Sequence, residues 1–133
     1  MRSQVGLMQI GELAEQTGLS LRTIRHYDGE GLLNPSARSV GGFRLYSRGD
    51  LDRLLVIRRM KPLGFSIDEM RDLLSLVDDL ADPDLSTVRR AELAGRLTVF
   101  INNAEERRER LRSQLSMAEE FVDRLQGLQP PVT

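Results

Sequence analysis

The sequence predicts a mainly α-helical protein, in which an N-terminal unit of short helices with a small β-hairpin is followed by one long C-terminal helix. Three observations predict this class. Apolar residues recur at helical spacing through most of the 133 residues, a Gly-Gly pair precedes a short run that alternates as a strand does, and the last third of the chain carries a sustained apolar repeat. The composition, 40% apolar and 29% charged, is typical of a soluble folded protein with a modest core.

Two short helices joined by a tight turn are predicted near the N-terminus. The first runs over Ile10–Gln16, and Gly18 follows as a suitable helix stop. Ser20 can cap the second helix, which is predicted over 21–30. Two helices joined in this way form a helix-turn-helix. The second helix is expected to direct three side chains inward, those of Leu21, Ile24 and Tyr27.

A β-hairpin and a third helix are predicted next. Gly41-Gly42 supplies a turn, and Phe43–Tyr46 alternates as a strand does, which predicts a hairpin beside the helix pair. Ser47 begins the third helix, and Pro62 and Gly64 end it. The hairpin would therefore form a wing next to the helix-turn-helix.

A fourth helix and a linker complete the N-terminal part. Ser66 and Glu69 have the spacing of a capping box, which predicts a helix start. The residues expected to face the core from this helix are Met70, Leu73, Leu74 and Val77. The acidic stretch that follows contains Pro83 and is expected to be a solvated linker. The predicted divisions are a winged helix-turn-helix domain over 8–77, the acidic linker over 78–86, a dimerisation helix over 87–128 and a tail over 129–133.

The last segment has the pattern of a coiled coil. Between Ala94 and Leu125, nine of the ten a and d positions of a heptad repeat are apolar, and Arg108 is the exception. A helix over 87–128 would be about 63 Å long, too long to bury its apolar stripe on the N-terminal unit alone, so we expect a homodimer. The alternative is an amphipathic helix that folds back on its own domain. The residues expected at the dimer interface are Leu97, Ile101, Ala104, Leu111, Leu115, Ala118, Val122 and Leu125.

The composition excludes several kinds of site. The chain has no cysteine and one histidine, which excludes disulfides, iron–sulfur clusters, thiolate metal sites and a histidine metal cage. We therefore expect no cofactor and no metal, and the lack of a phosphate-cradling loop or an acid–base pair argues against an enzyme. No apolar run is long enough to cross a membrane, and Met1–Met8 lacks the apolar core of a signal peptide, so we expect a cytoplasmic protein.

Charge and the helix-turn-helix indicate a DNA partner. Residues 1–64 carry 10 Arg or Lys against 6 Asp or Glu, whereas 65–133 carry 9 against 14. The start of the second helix would enter the major groove, where Arg can bond a guanine edge or hold phosphate. In the wing, Arg44 can hold phosphate while Phe43 and Tyr46 pack or contact the DNA backbone. The candidate residues on the second helix are Ser20, Arg22, Thr23, Arg25 and His26.

A multi-part pattern extends over most of the chain. Its main parts are Ile10-Gly11-Glu12-Leu13-Ala14, Thr23-Ile24-Arg25-His26-Tyr27-Asp28, Gly42-Phe43-Arg44-Leu45-Tyr46 and Leu63-Gly64-Phe65-Ser66-Ile67-Asp68-Glu69-Met70. Together they closely resemble the MerR family of bacterial transcription regulators over about residues 9–77, and the long dimerisation helix of that family corresponds to 87–128. The resemblance is to a cysteine-free type with a short C-terminal part.

The resemblance implies a winged helix-turn-helix dimer that binds a pseudo-palindromic element of double-stranded promoter DNA. It implies that the two chains join through an antiparallel coiled coil, and that the dimer distorts the promoter so that RNA polymerase can engage it. By the family pattern, Arg25 and Tyr27 belong to the recognition helix. Arg44 and Tyr46 belong to the first wing, and Lys61 belongs to a turn that acts as a second wing.

Four residues depart from this pattern or have more than one interpretation. His26 stands where the family usually has Phe or Tyr; it could contact phosphate, but a half-buried ring in the aromatic position is favoured. Phe43 replaces the usual Tyr, which removes a hydroxyl that could bind phosphate. For Asp28 a solvated or structural role is favoured, and it could also pair with Arg25 and orient it. Arg108 could fix the register of the coiled coil or bind an anionic effector, and its extension to solvent is favoured.

The signal that controls the protein is open at this point. The lack of cysteine removes the metal-sensing and redox-sensing classes of the family, and too few residues follow Leu125 to form a ligand pocket. A small organic effector at the dimer interface, a protein or peptide partner, or no effector at all remain. The alternative function is a coiled-coil adaptor for protein interactions without direct control of a promoter, which would not need its arginines on one face.

Overall fold

The computed structural model describes residues 6–34 and 37–132. The predicted class is confirmed: the fold is mainly α-helical, with one two-stranded antiparallel sheet and a long C-terminal helix. Pro35 and Ser36 of the predicted wing region and most of Met1–Met8 lie outside the described residues. The elements in chain order are α1 (Ile10–Thr17), α2 (Leu21–Gly29), β1 (Ala37–Arg38), β2 (Arg44–Leu45), α3 (Arg48–Met60), a 3-10 turn (Lys61–Leu63), α4 (Ile67–Leu80) and α5 (Thr87–Gly127).

The helix-turn-helix is present as predicted, and short-range hydrogen bonds form its turn. Gly18 ends α1 with φ at 74°, in the left-handed region where a side chain would be strained. The Ser20 hydroxyl accepts a hydrogen bond from the Thr23 amide at 3.1 Å and caps α2. Arg58 of α3 donates to the carbonyl of Thr17 and thereby ties the end of α1 to α3.

The core of the N-terminal unit, which comprises α1 to α4 and the hairpin, includes side chains from all four helices. Ile24, Leu54 and Ile57 are fully buried in this core. Tyr27 also faces inward as predicted, whereas Leu21 is 39% exposed and the prediction for it is wrong. Leu21 is the first residue of α2 and lies at the edge of the packed face, where helical spacing alone does not ensure a neighbour.

The wing is the antiparallel pair β1–β2, in which Arg38 pairs with Arg44. Gly42 lies in the connecting turn with φ at 83°, which agrees with the predicted glycine turn. A contact that the sequence did not predict joins the wing to the N-terminal segment: the amides and carbonyls of Met8 and Tyr46 exchange hydrogen bonds of 2.8 and 2.7 Å. This bridge fixes the base of the wing to the residues that precede α1.

The predicted start of the third helix at Ser47 is confirmed, and a capping box forms the start of α3. The Ser47 hydroxyl accepts from the Asp50 amide at 3.2 Å, and the Asp50 carboxylate accepts from the Ser47 amide at 3.0 Å. Asp50 is buried and also accepts from the Asn34 amide at 3.2 Å. Asp50 therefore holds the loop after α2 against the start of α3, a role that the sequence did not reveal.

The helix α4 starts at the predicted capping box but ends later than predicted. It runs to Leu80, so the first three residues of the predicted 78–86 linker are helical. The acidic residues do not end the helix because their side chains are solvated or paired: Asp78 accepts from Arg53 at 2.7 Å. Within the helix, Leu76 is fully buried and Val77 is 47% exposed, which corrects the predicted core position at Val77.

The helix α5 has 41 residues and is capped by Ser86, whose hydroxyl accepts from the Arg89 amide. Its first half contacts the N-terminal unit: Leu93 is fully buried and Ala104 packs against the core. From residue 108 to residue 132, every residue is exposed. The first half thus follows the alternative in which the helix folds back on its own domain, and the second half is uncovered in the single chain. None of the described helices is long and apolar enough to cross a membrane.

Candidate nucleic-acid interface

The recognition helix α2 exposes the side of its first turns that the sequence assigned to DNA. Arg22, Arg25 and His26 are exposed and Thr23 is half-buried. The hydroxyl of Ser20 donates to that of Thr23 at 2.9 Å while it caps the helix, so both hydroxyls are already engaged in local hydrogen bonds. Arg22, Arg25 and His26 therefore present their polar groups to solvent, and the Thr23 hydroxyl, which accepts from Ser20, can still donate its own proton.

His26 lies on the outer face of α2. It was expected to be a half-buried ring, and that interpretation is wrong because buried Ile24 and Tyr27 define the inner face of the helix. The ring centroid of His26 lies 5.8 Å from that of Tyr27, so the imidazole rests beside the buried tyrosine and remains exposed to solvent.

Asp28 joins the recognition helix to the wing. One of its carboxylate oxygens accepts from Arg44 Nη1 at 2.7 Å and from the Tyr46 hydroxyl at 2.8 Å. The Asp28 side chain is 9% exposed and the Arg44 side chain is 46% exposed, so the carboxylate is nearly buried and the guanidinium side chain is about half exposed. Asp28 thus has the structural role that was favoured, and its partner is Arg44 and not the alternative Arg25, because the hairpin brings β2 against the end of α2.

Tyr46 and Tyr27 lie beneath this surface. Both are buried, at 1% and 5% exposure. Burial, followed by the hydrogen bond to Asp28, raises the pKa of Tyr46 to about 12, and burial raises the pKa of Tyr27. Tyr46 is therefore a neutral hydrogen-bond donor at physiological pH, and it holds the carboxylate that in turn holds Arg44.

A cleft of about 510 Å³ opens between α2 and the wing. Arg25 reaches it from α2, and Phe43 and Arg44 reach it from the wing. Phe43 is 67% exposed, which is unusual for a large apolar side chain and leaves its ring available for contact. The structure thus brings together the predicted residues of two separate sequence segments in one concave and partly cationic surface.

Arg38 is a further candidate that the sequence pattern did not indicate. It is exposed, pairs with Arg44 across the hairpin and donates to the Gly42 carbonyl at 2.7 Å. The first strand of the hairpin has only two residues, too few for an alternating pattern to reveal it. Counting residues outward on both sides of the glycine turn would have placed Arg38 opposite Arg44.

The second-wing turn is held by a side chain from α5. Lys61 is exposed at the start of the 3-10 turn. Arg107 of α5 donates to the Leu63 carbonyl at 3.2 Å, and its guanidinium lies 4.1 Å from the centroid of the Phe65 ring. Arg107 also binds Glu69 at 3.2 Å. The pKa of Glu69 is lowered, first by the Ser66 amide that it accepts from and then by Arg107.

The predicted dimerisation residues divide into two groups. Leu97 and Ala104 are half-buried, and Ala104 packs against the core of its own chain. Arg108 is exposed, as favoured, and lies 3.5 Å from Glu109 and 4.0 Å from Glu105. The remaining predicted interface residues are exposed in the single chain: Ile101, Leu111, Leu115, Ala118, Val122 and Leu125.

Comparison with known families agrees with this arrangement. The family model described as MerR HTH family regulatory protein matches residues 8–76, and the model described as MerR, DNA binding matches residues 51–128. The chain belongs to the MerR family. The two matched regions together contain the helix-turn-helix, the wing, the 3-10 turn and all of α5.

Individual members of the MerR family show the same relationship. The chain is 48% identical over 66 residues to the HTH-type transcriptional activator mta of Bacillus subtilis, a match that covers 50% of this chain and 26% of the activator. The fold is also similar to the transcription regulator PbrR691 from Ralstonia metallidurans CH34, solved in complex with Lead(II), at 32% identity and a TM-score of 0.51. That likeness covers 95% of this chain and 91% of PbrR691.

A DNA-bound member of the MerR family has a similar fold. HiNmlR, a MerR family regulator lacking the sensor domain, was solved bound to promoter DNA, and the likeness has a TM-score of 0.63 at 24% identity. It covers 88% of this chain and 79% of HiNmlR, and it concerns the fold. The chain spans between about a quarter and about a half of the length of the curated relatives it matches.

Proposed function

We propose that this MerR-family chain is a sequence-specific DNA-binding transcriptional regulator, which binds a pseudo-palindromic promoter element as a homodimer. The observation that carries the proposal is the cleft in which Arg25 of α2 and Arg44 of the wing meet. An α-helix fits the major groove, and a wing beside it reaches the adjacent phosphates. The exposed arginines of α2 and the wing therefore suit one duplex surface.

Different residues would supply specificity and affinity. Arg22 and Arg25 lie on the exposed face of the first turns of α2, where a guanidinium can bond two acceptors of a guanine edge. Arg44 is oriented by Asp28 and suits a phosphate oxygen. Lys61, in the second-wing turn, suits a further phosphate. His26 is exposed on the same helix and can add a backbone contact.

Two copies are needed because a single N-terminal unit reads only one half of a pseudo-palindrome. The exposed apolar side chains of α5 between residues 108 and 125 support a dimer through this helix. Contacts from two recognition helices and four wings would offset the several kcal/mol that bending and untwisting of a promoter cost. RNA polymerase would then engage the distorted promoter. A small organic effector at the dimer interface would act by changing the placement of the two units.

The adaptor alternative is not favoured by membership of the MerR family. An adaptor would also have no need for a buried tyrosine and an aspartate that orient a partly exposed arginine. The Asp28–Arg44–Tyr46 arrangement instead suits a surface on which the position of a positive charge matters.

The experiment that tests the proposal is selection of bound sites from random duplexes, followed by affinity measurements on the selected site. Arg22→Ala should weaken binding to the selected site by about 1–3 kcal/mol and relax the preference at one base pair. Arg44→Ala should weaken binding to selected and random duplexes nearly equally and reduce the slope of affinity against salt.

Arg124→Ala, an exposed arginine near the end of α5, is the matched control and should leave both measurements unchanged. Failure to enrich any duplex, or equal losses for all three variants, would overturn the proposal.

A further inference from the structure

A short segment, residues 30–34, leads from the end of the recognition helix α2 towards the wing. Within it, Gly31 has φ at 79° and Leu32 is fully buried. The Gly31 amide donates to the Asp28 carbonyl at 3.0 Å, and the Leu32 amide donates to the Tyr27 carbonyl at 3.1 Å. Because these hydrogen bonds join the segment to the last turn of α2, whatever holds the segment also holds that end of the helix.

Two guanidinium groups from other helices hold carbonyls of this segment. Arg71 of α4 donates through Nη2 to the Glu30 carbonyl at 2.5 Å. Arg53 of α3 donates through Nε to the Leu32 carbonyl at 3.0 Å. A cation is favoured at this place, since the end of a helix carries a partial negative charge. The Asn34 amide is bound by α3 as well, so every second residue of the segment is held by a side chain of α3 or α4.

Each of these guanidinium groups is oriented by a carboxylate of α4. Nη1 of Arg71 lies 2.7 Å from Asp68, and Nη1 of Arg53 lies 2.7 Å from Asp78. The Arg53 side chain is 18% exposed and the Arg71 side chain is 43% exposed. Each guanidinium thus uses two of its nitrogen atoms on partners within the protein, and charge-assisted pairing of this kind fixes its direction.

The position of this end of α2 matters for reading a DNA sequence. Phosphate contacts set the register of a protein on the duplex, whereas bonds to base edges carry the sequence information. A set of such bonds forms only when its donors are held to within about 0.5 Å of the required place. The Asp28–Arg44 pair joins α2 to the wing at the cleft, and the two guanidinium groups fix the same end of α2 to α3 and α4.

We propose that Arg53 and Arg71 are positioning residues for sequence reading. They hold the recognition helix where its exposed arginines reach base edges, and they do so through the backbone of residues 30–34 without touching the DNA. The proposal rests on the proposed function and adds to it two residues outside the DNA-facing surface. It also gives α4 a part in specificity, because its carboxylates orient both guanidinium groups.

Affinity measurements on the full chain test this role. The double variant Arg53→Ala/Arg71→Ala should lose at least about fivefold of the preference for the selected duplex over random duplexes, because α2 is no longer held at the base edges. The slope of affinity against salt should be retained, since the change removes no phosphate contact. Arg124→Ala should retain both the preference and the slope.

Two results of these titrations would overturn the proposal. One is an unchanged preference in the double variant. The other is a slope that falls by about one for each arginine removed, which would show that Arg53 and Arg71 bind phosphate themselves.

A double-mutant cycle separates positioning from a general loss of stability. The fold loss in affinity for the selected duplex that Arg22→Ala causes should be smaller in the Arg53→Ala/Arg71→Ala background, because Arg22 is already displaced from its base there. A change that only lowers stability leaves this fold loss the same, provided that circular dichroism shows a folded chain. An equal loss in both backgrounds would therefore refute the positioning role.

The single variant Arg71→Ala takes the place of the double variant if the latter does not fold, since the Arg71 side chain is 43% exposed and Arg53 remains in place. The two hypotheses fail in distinguishable ways. A chain that enriches no duplex would refute the proposed function and the reading role together. A chain that selects duplexes but keeps its full preference without the two guanidinium groups would refute the positioning role alone.

Discussion

Asp28 shows how a single, nearly buried carboxylate can position an exposed cation at the edge of a cleft. It lies on α2, whereas its two partners, Arg44 and Tyr46, lie on or beside β2. The three residue types were visible in the sequence, but their pairing was not. The position of the wing relative to α2 depends on the backbone bridge between Met8 and Tyr46, and no local pattern encodes that bridge.

At the residue scale, we predict that the effects of Asp28→Asn and Arg44→Ala on DNA affinity are non-additive. The amide removes the charge that holds Arg44, so the guanidinium is less well oriented toward a phosphate. In the Arg44→Ala background no guanidinium is left to misorient, so Asp28→Asn should bring only the small gain in affinity that follows removal of a negative charge. Fluorescence anisotropy titrations of the single and double variants at several salt concentrations measure these affinities.

Glu12→Gln, on the exposed face of α1, is the control for this charge change. Its effect on affinity should be the same with and without the Arg44 side chain. Additive effects of Asp28→Asn and Arg44→Ala would show that Asp28 does not position Arg44.

At the scale of elements, helix starts were predictable and helix ends were less so. Ser20, Ser47 and Ser66 each cap a helix through a hydrogen bond within three residues, so the signal is local. The end of α4 depends on burial of Leu76 and on solvated acidic residues, and the acidic composition alone suggested an earlier break. The exposure of Leu21 was missed for the same reason, because it depends on neighbouring elements and not on the local sequence.

The element-scale prediction concerns Asp50, which joins two elements. Asp50→Ala should lower the free energy of unfolding by about 2 kcal/mol, because the amides of Ser47 and Asn34 both lose their acceptor. Urea unfolding followed by circular dichroism measures this change. Asp52→Ala, an exposed neighbour on the same helix, should change it by less than about 0.5 kcal/mol. Equal effects would contradict a structural role for Asp50.

At the scale of the whole molecule, the heptad repeat predicted a long helix with an apolar stripe to within one residue of its observed end. It did not predict that the first half of the stripe rests on the helix's own N-terminal unit. Leu97 and Ala104 were assigned to a dimer interface, yet both are already half-buried in the single chain. A periodic apolar face indicates that this face is buried. It does not show whether the residues that bury it belong to the same chain or to another chain.

The whole-molecule prediction is that Leu115→Asp dissociates the dimer and weakens binding to the selected duplex at least about 100-fold, because one unit then reads one half-site. Leu115 is exposed in the single chain, so the helical content measured by circular dichroism should not change. Light scattering and DNA titration give the two readouts. Ser113→Asp, on the outer face of the same helix, should affect neither, and undiminished affinity of a monomeric Leu115→Asp would show that one subunit suffices.

The contacts of Arg107 connect α5 to the 3-10 turn. The guanidinium connects the helix to the Leu63 carbonyl and to the Phe65 ring, on either side of Gly64. About 30 Å of helix extends beyond Arg107 to Gly127. We expect a tilt of this exposed segment to be passed through Arg107 to the 3-10 turn, and so to change the position of the exposed Lys61 side chain.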